Sequence, residues 1–231
     1  MVDLQRAGGI AAVLQALAYV VGFAVLATLL NPGNTESWSS EQRLDFILER
    51  KLGFQIWMNF IYVVFGIALV ILATALHERL KNHLPGLMQV ATAFGLIWAG
   101  LVIASGMVSS VGLESVAALH AEDLEQAVSL WHAVNAIQLG LGGGVEIVGG
   151  LWVLLISVAA LRSRKLSTTL SYLGVVVGVA GLLTIVPALG DLGMIFGLGQ
   201  ILWFIWIGFH LLCRPAADDS SKPTTRRGGA A

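Results

Sequence analysis

Apolar residues fall in six long runs, near 7–30, 54–76, 86–110, 128–161, 169–189 and 193–213, each bounded by charged or turn-forming residues. A helix rises 1.5 Å per residue, so about 20 apolar residues cross a hydrocarbon core of about 30 Å. The pattern predicts an all-α integral membrane bundle of six transmembrane helices. The first run is too long for a signal-peptide core of about 7–15 residues and is not closed by a small-residue cleavage site, so it is expected to remain as a span. The fourth run would extend about 51 Å as one helix, more than a bilayer holds. Its spanning part falls within about 137–161: counted back from Arg162, a span of about 20 residues reaches about Gly140. Val128 to Leu139, with His132, Asn135 and Gln138, then project outward.

The polar interruptions predict further elements. SSEQRLDFILERK offers serine N-caps followed by Leu44, Phe46, Ile47 and Leu48 among charges, the wording of a short amphipathic helix over about 39–52 lying on the outer surface. LESVAALHAEDLEQ is acidic and reads as a solvated connector with helical character. Residues 1–213 thus form one transmembrane domain. The tail over 214–231 holds no large apolar side chain and is expected to be a disordered cytoplasmic extension.

Composition agrees with this reading: 57% of the 231 residues are hydrophobic and 12% charged, against about 25% charged in soluble domains. A net charge of −1 provides no field for nucleic acid, and a single cysteine, Cys213, excludes an intramolecular disulfide. Orientation follows from Lys and Arg. Ten of the 13 (Arg6, Arg79, Lys81, Arg162, Arg164, Lys165, Arg214, Lys222, Arg226 and Arg227) fall on one side, and Arg43, Arg50 and Lys51 on the other. The positive-inside rule then places both termini in the cytoplasm of a multi-pass inner-membrane protein. No lysine lies within a span, which excludes retinal chemistry in its usual form.

Glu146 is the one carboxylate inside an apolar run, and it stands among six glycines in GLGGGVEIVGG. The depth count puts it about 9 Å below the outer boundary. Asn59, Ser105, Thr184 and Gln200, on four other helices, reach the same layer. On an ideal helix His132, Asn135, Gly142 and Glu146 share an arc of about 80°. An acid facing lipid costs about 2.5–3.5 kcal/mol, so this one is expected to face a cavity or a partner. If GGG at 142–144 breaks the helix, Glu146 sits in the first turn of a half-helix, where free N–H groups favour a carboxylate; if not, it is protonated and hydrogen-bonded. The competing account makes the layer interhelical glue, with hydrogen bonds worth about 0.6 kcal/mol each. Small-xxx-small pairs such as Gly140/Gly144, Gly174/Gly178 and Gly193/Gly197 point to close helix packing.

Other constellations carry less. His77 and His210 near the cytoplasmic helix ends suit capping more than haem ligation, and no spacing imposes a metal on His120 and His132. The sequence leaves the cofactor undetermined. GVAGLLTIVPALGDLGMIFGLGQILWFIWIGFHLL (178–212) and RAGGIAAVLQALAYVVGF (6–23) resemble a bacterial integral membrane family known as domain of unknown function 4386. The resemblance implies a six-helix inner-membrane protein and carries over no ligand or catalytic residue. The favoured reading is non-enzymatic: a small molecule or lipid bound in an outward-facing polar cavity by Glu146, Asn59, Ser105, Gln200, Thr184, His132 and Asn135, in a transporter-like or accessory protein. Its partners are the lipid bilayer, such a ligand, and a second copy or a membrane complex. The alternatives are a purely structural subunit and an intramembrane enzyme using Glu146, His132 and Ser105.

Overall fold

The structure, a computed structural model, describes residues 4–143 and 146–213; the tail expected over 214–231 lies outside them. In chain order the helices are α1 (Leu4–Ala27), α2 (Ser40–Glu49), α3 (Lys51–Met58), α4 (Phe65–Leu80), α5 (Pro85–His120), α6 (Leu124–Gln138), α7 (Ile147–Ser163), α8 (Thr168–Leu183) and α9 (Leu192–Cys213). Widened π-helical turns at Asn59–Val64 and Leu139–Gly143 join α3 to α4 and follow α6, and a 3-10 turn at Pro187–Leu189 precedes α9. No strand occurs among the described residues.

Six of these helices close into a ring. α1 packs against α4 and α9, α4 against α5, α5 against α7, α7 against α8, and α8 against α9. Five helical stretches are long and apolar enough to cross a membrane: α1, α3 with α4, α5, α6 with α7, and α9. α8 has sixteen residues, about 24 Å of helix, so by length it falls short of the span the hydropathy pattern predicts for 169–189. It nevertheless occupies a full place in the ring.

Lipid tails are as apolar as leucine, so the ring is held by close packing and dispersion, and small residues set the approach. A Cβ on Gly150 would lie 2.7 Å from the Gly178 carbonyl oxygen, and one on Gly178 would lie 2.8 Å from the Gly150 oxygen, so α7 and α8 meet backbone to backbone. Gly9 and Gly208 do the same for α1 and α9. Gly140 and Gly193 meet nothing closer than 3.9 Å and serve no such contact, although their spacing suggested it. Inside the ring lies an aromatic core. Trp98 contacts Phe65, Trp152 and Phe196 at centroid distances of 5.7, 5.7 and 6.2 Å, and Trp152 contacts Trp203 at 5.6 Å. Ile10, Leu17, Ile67, Ile97, Val176 and Leu202 are exposed on the outside of the bundle, as a lipid-facing surface requires.

α5 runs for 36 residues, about 54 Å, and its far end leaves the ring to support a cap. Ser39 starts α2 with a capping box: its Oγ accepts the Gln42 N–H while Gln42 Oε1 accepts the Ser39 N–H. Leu44 of α2 is fully buried against Val116 of α5 and Ala127 of α6, a second small core. Lys51 pairs with Glu114 and His120 with Asp45 around it.

At the opposite, basic end, Gln5 Nε2 donates to the Ala75 carbonyl, Arg79 donates to Gln5 Oε1, and Arg79 and the Lys165 carbonyl both approach His210 Nε2. Gly9 packs on Leu212 there, so the N-terminal end of α1 and the C-terminal end of α9 share one face of the bundle.

Candidate functional site

The helix run that starts at Leu124 is interrupted at Gly142, whose φ of +127° lies in a region open to glycine and closed to residues with a side chain. α7 restarts at Ile147, and Glu146 is its N-cap residue. The helix is broken as one alternative for GLGGGVEIVGG required, but Glu146 stands at the N-cap rather than in the first turn, and its side chain accepts no N–H of α7. The Glu146 carbonyl accepts the Gly150 N–H at 2.8 Å as the first bond of α7, and its N–H donates to Thr184 Oγ1 at 2.9 Å. Thr184 Oγ1 donates in turn to the Gly181 carbonyl. The Glu146 side chain makes no hydrogen bond or ion pair among the described residues.

It faces a cavity of about 510 Å³. α1 contributes Tyr19 and Phe23, α3 and the first widened turn contribute Trp57 and Tyr62, and α5 contributes Trp98. Asp191, just before α9, and Met194 and Phe196 near its start complete the wall. Seven of the nineteen lining residues are aromatic, and none is Lys, Arg or His. The floor is fixed by packing: Tyr19 meets Phe65 edge-on at 5.5 Å, Phe65 meets Trp98 at 5.7 Å, and Trp57 Nε1 donates to the Gly22 carbonyl at 3.0 Å. Phe23, Leu26, Asp191 and Met194 are exposed, which places the mouth between the ends of α1 and α9 nearest the cap. Both interruptions in the helices reach this cavity, Ile61 and Tyr62 from one and Gly142 from the other. π-bulges are frequent at functional sites because the inserted residue re-aims the side chains around it.

Of the residues singled out from the sequence, the structure brings together Glu146 and Thr184, through the Glu146 backbone. Ser105 is buried and donates to the Gln138 carbonyl. Asn59 donates to the Gln55 carbonyl and to Ser110 Oγ on the side of the bundle. Gln200 is fully buried, with neither amide atom hydrogen-bonded among the described residues. His132 lies in the cap, 3.2 Å from Ser40 Oγ, and Asn135 is exposed. None of these five lines the cavity. The shared arc of His132, Asn135 and Glu146 assumed one straight helix, and the dihedral break at Gly142 resets the phase between them. Ser105 and His132, the one visible nucleophile–base pair, are each bonded elsewhere.

The residues that sequence reading passed over are Tyr19, Tyr62 and Asp191. Tyr19 and Phe23 stand four apart and so share a face of α1, which is a legible signal. Asp191 stood in PALGDLG, a glycine-flanked acid between two apolar runs.

A membrane-type helical bundle broken at a carboxylate-bearing cavity is the class these features define. The chain belongs to the family described as domain of unknown function (DUF4386), whose model matches residues 7–214. No curated protein and no solved structure matches it.

Proposed function

We propose that the chain crosses the bacterial inner membrane six times, with both termini in the cytoplasm, and binds a small molecule or lipid in the Glu146 cavity, which opens toward the outer side. The ring supports the six-span count, since α8 fills the same structural role as the five longer stretches. The distribution of Lys and Arg supports the orientation. The observation that carries the binding role is the cavity itself. Its volume of about 510 Å³ lies within the 300–1,000 Å³ of ligand sites, and like them it is mostly apolar with a few polar groups. Interhelical glue gives no reason for such a void, because helices in lipid gain from close packing as well as from hydrogen bonds, and a void forfeits the packing. The position of the site at a helix break supports a transporter-like or accessory role.

The test fills the cavity without touching its chemistry. Gly193 lines it, and a Cβ there meets only Thr184 Cγ2 at 3.9 Å. Gly193→Leu should leave the melting temperature in detergent unchanged. It should also remove a small-molecule or lipid adduct that native mass spectrometry detects on the wild-type protein. Identical adduct patterns in the two proteins would overturn the reading.

A further inference from the structure

We infer that the cavity takes a lipophilic organic cation, an ammonium or phosphonium centre surrounded by apolar groups; this rests on the binding role proposed above and names its ligand class. Three observations lead there. First, the charge of the site is one-sided. Glu146 and Asp191 both line it, and no basic side chain does. Glu146 stands at the N-cap position of α7, but its side chain accepts no N–H of that helix, so an arriving cation meets a partly buried acid with no hydrogen-bond partner among the described residues. Second, the walls are rings. Tyr19, Phe23, Trp57, Tyr62, Phe65 and Trp98 surround the space, and the edge-to-face contacts of Phe65 with Tyr19 and Trp98 hold the rings in fixed orientations. Ring faces carry the negative lobe of the aromatic quadrupole and attract a cation within about 6 Å of the centroid, most strongly for tryptophan and most strongly when water is excluded. A neutral apolar ligand would gain from the rings but would leave the Glu146 carboxylate without a partner. An anion would meet two carboxylates. Third, the mouth between α1 and α9 is bordered by Phe23, Leu26 and Met194, large apolar side chains exposed on the outside of the bundle. A ligand reaching it through the membrane interface must itself partition there, which a small hydrated ion does not.

The same cationic chemistry is available from a free amphiphile or from the amine headgroup of a phospholipid. A headgroup also brings a phosphate, for which the lining holds no Lys, Arg or His, so the free cation is the better fit.

The probe pair that isolates charge from size is tetraphenylphosphonium and tetraphenylborate. Binding to the full-length protein in dodecylmaltoside is read by equilibrium dialysis against protein-free micelles. The phosphonium is expected to bind at least tenfold more tightly than the borate. Glu146→Gln should weaken the phosphonium tenfold or more and leave the borate no weaker, and Phe23→Leu should weaken the phosphonium several-fold; a general loosening of the fold would weaken both ions together. Micelles doped with phosphatidylethanolamine should leave phosphonium binding intact, and competitive loss would instead assign the cation site to a lipid headgroup. Equal binding of the two ions, or selectivity unchanged in Glu146→Gln, overturns the cation assignment. If in addition the native adduct fails to respond to Gly193→Leu, the binding role falls with it; if that adduct responds, only the ligand class is wrong.

Discussion

At Gly150 a side chain has nowhere to go: the atoms a Cβ would meet, 2.7 Å away, are the Gly178 oxygen and the Leu182 nitrogen, both backbone. Backbone cannot swing aside as a flexible side chain does, so α7 and α8 would have to separate along their contact. Gly150→Ala should therefore lower stability by about 1–3 kcal/mol, the range for overpacking a tight interior, measured by unfolding in mixed micelles with SDS. Gly100 is the control. It sits in the middle of α5 with nothing within 4 Å of a Cβ, and Gly100→Ala should be neutral or stabilising by up to about 1 kcal/mol, because alanine loses less backbone entropy in a helix. Equal effects of the two substitutions would mean that α7 and α8 are not in backbone contact.

Among the elements, α6 depends most visibly on charge. Asp123 is its N-cap: the carboxylate accepts the Gln126 backbone N–H at 3.0 Å and Gln126 Nε2 at 2.7 Å, and these bonds hold the carboxyl below its usual value of 3.8. Glu114 on α5 is lowered likewise, first by Lys51 and then by Gln55. Both groups have a folded-state value below the unfolded one. Their contribution is fully present above the unfolded value and disappears as pH falls through the folded one. Hydrogen exchange at the start of α6, corrected for intrinsic rate, should be constant from neutral pH down to about 5 and rise below the usual aspartate range. Asp123→Asn keeps a good cap and should remove most of that acid dependence. A cap that loosens between pH 6 and 8 would point to other groups.

For the whole molecule the decisive question is orientation. Gly9 packs on Leu212, so the two ends of the described chain lie on one face, and one label places both. Cys213 is exposed at that face. With the termini cytoplasmic, an impermeant maleimide should leave Cys213 unlabelled in intact cells and label it after lysis, while Glu122→Cys, in the turn between α5 and α6, should react from outside. Labelling of Cys213 in intact cells would invert the bundle and with it the side to which the Glu146 cavity opens.

Hydropathy alone located the six apolar runs, and each returns as one place in the ring, because burying apolar surface is a one-dimensional property that a chain carries in its order of residues. The place of the helix break was legible, as one of two alternatives: GGG beside an acid within a long run marks a site where glycine tolerates the φ that Gly142 adopts. Which polar groups share the cavity was not legible. Depth along each helix put Asn59, Ser105, Thr184 and Gln200 in one layer with Glu146, but meeting requires azimuth as well. Azimuth is set by how the ring closes and is reset at Gly142, so Ser105 turned to the Gln138 carbonyl and Asn59 to the outer flank. The aromatic walls were equally hidden. Tyr19, Phe65 and Trp98 have the same composition whether they pack a core, face lipid or line a void, and only the closing of α1, α5 and α9 around a space too poorly filled to be core decided which.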